Sequence, residues 1–121
     1  MKRRDTGILG EQLACEFLGS NGYQVIETNY RCPGGEIDIV ARQRDTLVFI
    51  EVRTKTSRQF GGPEESITPV KMERLRTVAA HYGQHHENLP EARRIDVVAI
   101  EMNKRGRATR IELIENAVVE T

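Results

Sequence analysis

Hydrophobic and polar residues alternate along residues 34–55, and this alternation predicts two strands joined by a tight turn. A period of two, carried by β-branched and aromatic residues, is typical of strands with one buried face. We place the strands at residues 36–40 and 47–53, with Arg44 and Asp45 between them. A two-residue loop and a symmetric four-residue loop give the same register, so one pairing is expected across this hairpin.

This register gives the hairpin one apolar face and one face that changes character along its length. The apolar face consists of three facing pairs, namely Ile37 with Val52, Ile39 with Ile50 and Ala41 with Val48. The other face runs from apolar near the turn to charged at the open end, with the facing pairs Val40 with Phe49, Asp38 with Glu51 and Glu36 with Arg53. A wholly apolar face must be buried. We therefore expect the chemistry at the charged, open end of the hairpin.

Asp38 and Glu51 face each other directly in this register, which is unfavourable for two ionised side chains. With the Cβ atoms about 5 Å apart and an effective dielectric of about 20, their repulsion would amount to about 3 kcal/mol. A divalent cation offsets this repulsion, since carboxylate oxygens are the ligands that Mg²⁺ prefers. Arg53, two residues along on the same face, offers an alternative by neutralising the pair in a structural salt-bridge cluster. Both interpretations stay open at this point.

The rest of the pattern predicts two helices and three further strands. The elements are, in chain order, a helix over residues 6–20, a strand over 23–29, the hairpin, a helix over 69–82, and strands over 94–101 and 110–114. The second helix follows Thr68 and Pro69, a cap with proline at the first helical position. Its crossover is long enough to set the fourth strand parallel to the third. The expected fold class is α/β, with a mixed five-stranded sheet flanked by helices in the order αβββαββ.

Four residues of the predicted helices suggest how the helices meet the sheet. Gly7 and Gly10 lie on the apolar stripe of the first helix, where glycine costs about 1 kcal/mol relative to alanine, and this indicates a backbone packed very close to the sheet. Glu11, at the edge of the stripe, can lean over the sheet face, although a glutamate near a helix N-terminus is also an ordinary dipole-stabilised residue. Lys71 on the second helix either snorkels to solvent or points along the sheet toward the carboxylates.

Length and composition fit a single domain over residues 1–121, with an ordinary globular balance of 38% hydrophobic and 30% charged residues. The formal net charge is zero, so only local runs of charge point to a nucleic-acid partner. Basic side chains cluster in residues 2–4, 53–58 and 104–110, where they either contact phosphates or are merely solvated. Two cysteines without metal-binding spacing, and no signal sequence or membrane-spanning run, predict a cytosolic protein.

Five parts of the sequence together resemble the YraN family, small bacterial proteins regarded as relatives of archaeal Holliday junction resolvases. The matching parts are GILGE at 7–11, GEIDIVA at 35–41, VFIEVRTK at 48–55, Lys71, and RIDVV at 94–98. They span nearly the whole chain and are specific in combination, although the first alone would be a weak signal.

The resemblance implies a restriction-endonuclease-like core with the PD-(D/E)xK nuclease signature and a dependence on Mg²⁺ or Mn²⁺. Asp38 and Glu51 match the two signature acids, and Glu11 matches the helix glutamate that helps to hold metal in the resolvases. Arg53 stands at the position of the signature lysine, with Lys55 next on the same strand face. Arginine stays protonated throughout the neutral pH range, so it is a poor base. It can nevertheless bind a phosphate through two hydrogen bonds.

Two functions agree with these residues. The first is a Mg²⁺- or Mn²⁺-dependent endonuclease acting on DNA, either branched or duplex. The second is a DNA-binding module with the same fold and little cleavage, which a salt bridge from Glu36 to Arg53 would favour. The residues expected to contact phosphates are Arg53, Lys55, Arg58 and Lys71, and the last is also a second substitute for the signature lysine. An RNA substrate, a protein-interaction role and a homodimer are left open, while no membrane or small-molecule cofactor is expected.

Overall fold

The computed structural model describes residues 3–56 and 68–115, which form two helices and five strands. The elements are, in chain order, α1 (Arg3–Ser20), β1 (Gln24–Cys32), β2 (Gly35–Gln43), β3 (Thr46–Lys55), α2 (Pro69–His85), β4 (Ala92–Met102) and β5 (Ala108–Ile114). This order confirms the predicted αβββαββ arrangement. Within the described ranges, neither helix combines the length and the apolar character that crossing a membrane requires.

The five strands form one mixed sheet in the order β1-β2-β3-β4-β5. β3 and β4 are parallel, and the other neighbouring pairs are antiparallel. The crossover through α2 therefore connects two parallel neighbours, as its length predicted. The fold is α/β, as expected.

Each helix covers one face of the sheet, so the core has two parts. On the α1 side, the buried residues include Ala14, Leu18, Ile39, Ala41, Val48, Ile50, Val98 and Ile100. On the α2 side, they are Ile37, Val40, Leu47, Phe49, Leu75, Val78, Ala79, Tyr82 and Ile95. The buried residues of α2 lie on one stripe of the helix, since Val78 and Ala79 each lie three or four residues from both Leu75 and Tyr82. The molecule thus has three layers, helix, sheet and helix.

The hairpin of β2 and β3 has the predicted register around a two-residue turn. Ile39 pairs with Ile50, and Arg44 in the turn has a left-handed φ of +54°. One part of the prediction is wrong, because Ile37 packs on the α2 side with Val40 rather than beside Ile39. The backbone ladder between the two strands extends only as far as the Ile39–Ile50 pair. Beyond it β2 no longer follows the alternation of β3.

The glycines of the two helices play different parts from those expected. Gly10 packs directly on β3, and a Cβ atom there would overlap the hydroxyl of Thr54, so the prediction of close packing is confirmed for this residue. The same prediction is wrong for Gly7, because no atom of the described residues outside its own stretch of helix lies within 4 Å of a Cβ position there. Gly83 does not end α2, which continues to His85. Its missing side chain instead makes room for the guanidinium of Arg93.

A buried ion pair lies on the α1 side, near the start of β4. The carboxylate of Asp96 is fully buried and accepts two hydrogen bonds from Arg94, at 2.8 Å from Nε and 3.0 Å from Nη2. Tyr23 donates its hydroxyl to the same carboxylate at 3.0 Å, and Gln43 accepts from Arg94 Nη2 at 2.8 Å. Burial and the adjacent Asp96 raise the pKa of Tyr23 to about 12. The network joins β4 to the end of β2 and to the residues after α1.

Candidate functional site

The candidate site lies where β2 and β3 separate. Past the last backbone pair of the ladder, Asp38 Oδ2 accepts the backbone N–H of Val52 at 2.8 Å. The side chains of Asp38 and Glu51 hydrogen-bond to each other, so the two acids meet as the hairpin register predicted. An Asp38 side chain thus takes the place of a backbone partner in the ladder, and this opens the sheet at its charged end.

The two carboxylates share a proton in the neutral pH range. Burial, followed by the charge of Asp38, raises the pKa of Glu51 to about 8. Burial also raises the pKa of Asp38, although the Val52 N–H opposes the shift. The hydrogen bond between the side chains favours the ionised form of Asp38 and the protonated form of Glu51. Near pH 7 the proton therefore resides on Glu51, which donates to Asp38.

Arg53 lies beside the pair, and its positive charge opposes the rise in the pKa of Glu51. Its Nη1 is 3.7 Å from Glu51 Oε1, and its side chain is only 19% exposed. The salt bridge expected from Glu36 goes elsewhere, because Glu36 Oε2 is 3.6 Å from Nε of Arg31. Arg53 therefore stands at the carboxylates themselves.

The other predicted basic residues are spread more widely. Lys55 is the last residue of β3, and by strand alternation its side chain is on the same face as Glu51 and Arg53. Lys71 lies in the first turn of α2, half-buried, with its backbone N–H donated to the Thr68 cap at 3.3 Å. Arg58 lies outside the described residues. The structure thus brings Arg53 to the acids and leaves Lys55 one step farther along the strand.

Glu11 approaches the site from α1 but contacts a residue that sequence reasoning missed. Its Oε1 accepts a hydrogen bond from Asn29 Nδ2 at 2.8 Å. The pairs on either side of Asn29 in the β1–β2 ladder are Thr28 with Ile39 and Tyr30 with Ile37. Asn29 therefore lies across from Asp38. The sequence pattern ended the first strand at this asparagine, and so no role in the site was assigned to it.

The residues present fit a hexacoordinate oxygen-ligated cation such as Mg²⁺ or Mn²⁺. Asp38 and Glu51 offer adjacent carboxylate oxygens, and Mg²⁺ is commonly held by one or two carboxylates, with water and substrate phosphate as its other ligands. Within residues 3–56 and 68–115, no group of three or more His, Cys, Asp or Glu side chains is arranged to hold a metal ion. The ion would therefore rest on the two acids, with Glu11 near enough for its charge to raise the pKa of Asp38.

A second cluster of polar side chains lies on the α2 side and packs together without forming a metal site. The hydroxyl of Tyr30 is 2.6 Å from Nδ1 of His81, and the rings of His81 and His85 stack at 4.0 Å with 13° between their planes. Ring nitrogens bind metals through lone pairs that lie in the ring plane, and two parallel stacked planes do not converge on one ion. These histidines therefore belong to the contact between α2 and β1.

Comparison with protein families finds a match that spans most of the chain. The family model described as "Uncharacterised protein family UPF0102" matches residues 10–100. The chain belongs to this family. Membership confirms the YraN resemblance at the level of the family.

Relatives in the UPF0102 family match the chain along nearly its full length. A UPF0102 protein of Dehalococcoides mccartyi is 46% identical over 118 residues, which cover 98% of this chain and 96% of the relative. One of Moorella thermoacetica is 45% identical over 117 residues, or 97% of this chain and 98% of the relative. Another, of Caldicellulosiruptor saccharolyticus, is 41% identical over 117 residues, with 97% and 99% covered. The similarity to these three relatives therefore extends along nearly the whole chain.

Proposed function

We propose that the protein is a metal-dependent nuclease that cleaves DNA phosphodiester bonds. The observation that carries this proposal is the contact between Asp38 and Glu51 at the split between two strands, with Arg53 beside them. The motif resemblance to archaeal Holliday junction resolvases favours branched DNA, such as a recombination intermediate, as the substrate.

Each residue of the site has a distinct part in this proposal. Asp38 and Glu51 would hold Mg²⁺ or Mn²⁺, with Glu51 giving up its proton as the ion binds. When bound, the ion supplies Lewis-acid polarisation of the phosphate and a lowered pKa for a coordinated water. Arg53 would hydrogen-bond to two oxygens of the scissile phosphate and stabilise the charge that builds up there. Lys55 would contact the adjoining phosphate.

Basic residues at the same end of the sheet would extend the contact with DNA. Lys55 is paired with Glu101 across the parallel β3–β4 ladder, and the turn after β4 exposes Lys104, Arg105 and Arg107. These three residues lie at the end of the sheet where β3 finishes, the end that also carries Arg53 and Lys55. Such contacts with phosphates give affinity that depends on salt more than on base sequence.

A cleavage assay tests the proposal directly. A labelled four-way junction, a flap and a plain duplex are incubated with Mg²⁺ or Mn²⁺. Products that need the metal and disappear in Asp38→Asn and Glu51→Gln are the expected result. Asp45→Asn is the matched control, since that acid is fully exposed in the turn at the opposite end of the hairpin. No metal-dependent product from any substrate, or products that persist in both site variants, would refute the nuclease.

One observation favours a second candidate, a DNA-binding module with little cleavage. Arg53 occupies the lysine position, and its guanidinium stays protonated and cannot act as a base. Its Nη1 also lies 3.7 Å from Glu51 Oε1. This function predicts retention of the junction on a gel without products, unchanged in Asp38→Asn. Cleavage gained by Arg53→Lys would show that arginine is what limits the reaction.

A further inference from the structure

Asn29 has a backbone conformation that is unusual inside a strand. Its φ is +56°, in the left-handed region that L residues rarely occupy and that asparagine tolerates better than most. A residue held in this way within a sheet requires support from its surroundings, and such residues cluster at functional sites. The position of Asn29 across from Asp38 puts this one beside the carboxylate pair.

The amide of Asn29 connects the sheet to α1 at this point. Its Nδ2 donates to Glu11 Oε1 at 2.8 Å. Asn29 belongs to β1 and Glu11 to α1, and both side chains are accessible to solvent. A glutamate side chain has several free rotors, so a single hydrogen bond at its end selects the orientation of the carboxylate. The hydrogen bond holds the Glu11 carboxylate at Asn29, the residue that lies across from Asp38 in the β1–β2 ladder.

We propose that Asn29 is a positioning residue, which holds the Glu11 carboxylate toward the ion carried by Asp38 and Glu51. The proposal rests on the function proposed above. In it, Glu11 acts through a water molecule of the ion, because the three acids are not arranged to hold the ion together, and Asn29 keeps the Glu11 carboxylate in place. Residues that orient metal ligands in this way commonly change metal affinity by about 10–100-fold when they are replaced.

Binding of Mn²⁺ to the intact metal-free protein, followed by calorimetry, tests this role without any need for activity. Glycine adopts a positive φ freely, so Asn29→Gly removes the amide and leaves the backbone unstrained. We expect Asn29→Gly and Glu11→Ala each to weaken Mn²⁺ binding by about 10-fold, and the double variant to bind no more weakly than either single one. Asn88→Gly is the matched control, because Asn88 is also exposed and has a φ of +60°. It should bind Mn²⁺ as the unsubstituted protein does.

Thermal unfolding of each variant shows whether the fold is kept, and the binding data then separate the outcomes. Unchanged Mn²⁺ affinity in Asn29→Gly would overturn the positioning role, as would losses that multiply in the double variant. Failure of the unsubstituted protein to bind Mn²⁺, or binding unaffected by Asp38→Asn, would overturn the proposed function and the role of Asn29 together. The two kinds of failure are therefore distinguishable.

Discussion

At the residue scale, a proton explains how two facing acids are tolerated. The sequence suggested either a cation or Arg53 as the compensating charge, and the structure adds a third contribution. Burial and mutual repulsion raise the pKa of Glu51 to about 8, so one of the two acids is neutral at pH 7. Register alone showed that the acids meet, but burial depends on the packed molecule and therefore lay beyond the sequence.

The shared proton makes stability depend on pH in metal-free buffer. The pKa of Glu51 is raised from 4.5 to about 8 on folding, so its contribution to stability is fully present below pH 4.5 and is lost as the pH rises through 8. We expect the free energy of unfolding to fall by a few kcal/mol between about pH 5 and about pH 9. Glu51→Gln should flatten this dependence, as measured by urea denaturation.

The surface variant Glu91→Gln serves as the control for this measurement, because Glu91 is exposed. It should retain the pH dependence of the unsubstituted protein. A profile of Glu51→Gln that is as steep as that of the unsubstituted protein would show that Glu51 titrates normally.

Asp38→Asn should stabilise the metal-free protein at high pH. Above about pH 8 both acids are ionised and repel each other, by about 3 kcal/mol for charges about 5 Å apart at an effective dielectric of about 20. The amide removes that repulsion while its oxygen still accepts the Val52 N–H. Near pH 6 the proton on Glu51 already relieves the repulsion, so a smaller gain is expected. Melting temperatures at the two pH values test this, and a variant that is less stable at high pH would contradict it.

At the scale of elements, the alternation of the hairpin predicted its register, while element ends were harder to predict. Gly83 was expected to end α2, but here glycine serves the close approach of Arg93. The first strand was ended at Asn29, whereas β1 passes through this left-handed residue to Cys32. Ile37 was placed with Ile39, because nothing in a regular pattern indicates that the strands part. Each error arose where tertiary contacts override a local signal.

The contact of α1 with β3 predicts opposite effects for two identical substitutions. Gly10→Ala should destabilise the protein by about 1–3 kcal/mol, because the new Cβ overlaps the Thr54 hydroxyl. Gly7→Ala, in open space on the same helix, should stabilise it by up to about 1 kcal/mol through helix propensity. Adding Thr54→Ala to Gly10→Ala should recover part of the loss. Urea denaturation measures all three, and a Gly10→Ala variant as stable as Gly7→Ala would disprove the close contact.

At the scale of the whole molecule, positive and negative charges are equal in number but are not evenly distributed over the surface. The formal net charge is zero, yet exposed cations gather in the turn after β4. The turn between β2 and β3, which holds Arg44, lies at the opposite end of the sheet, since β3 runs from Thr46 beside Ala92 to Lys55 beside Glu101. In the proposed function, nucleic acid would approach from the end that carries the acids.

The two ends of the sheet provide a matched test of that approach. Lys104→Ala with Arg105→Ala should weaken DNA binding and reduce the slope of log K against log salt concentration by about 1–2, since each lost phosphate contact accounts for about 0.9. Arg42→Ala with Arg44→Ala removes the same charge at the other end and should change the slope little. Equal effects of the two double variants would mean that binding does not depend on this end of the sheet.

The buried Asp96 also restricts the ways in which β4 can align during folding. β4 is buried and apolar on both faces over Val97 to Ile100, so hydrophobic contacts alone discriminate weakly between its alignment and one displaced by a single residue. Such a displacement would turn the carboxylate toward Phe49 and away from Tyr23 and Gln43. An unpaired acid in that interior is strongly disfavoured. This single buried acid therefore disfavours shifted alignments of β4 that an entirely apolar strand would tolerate.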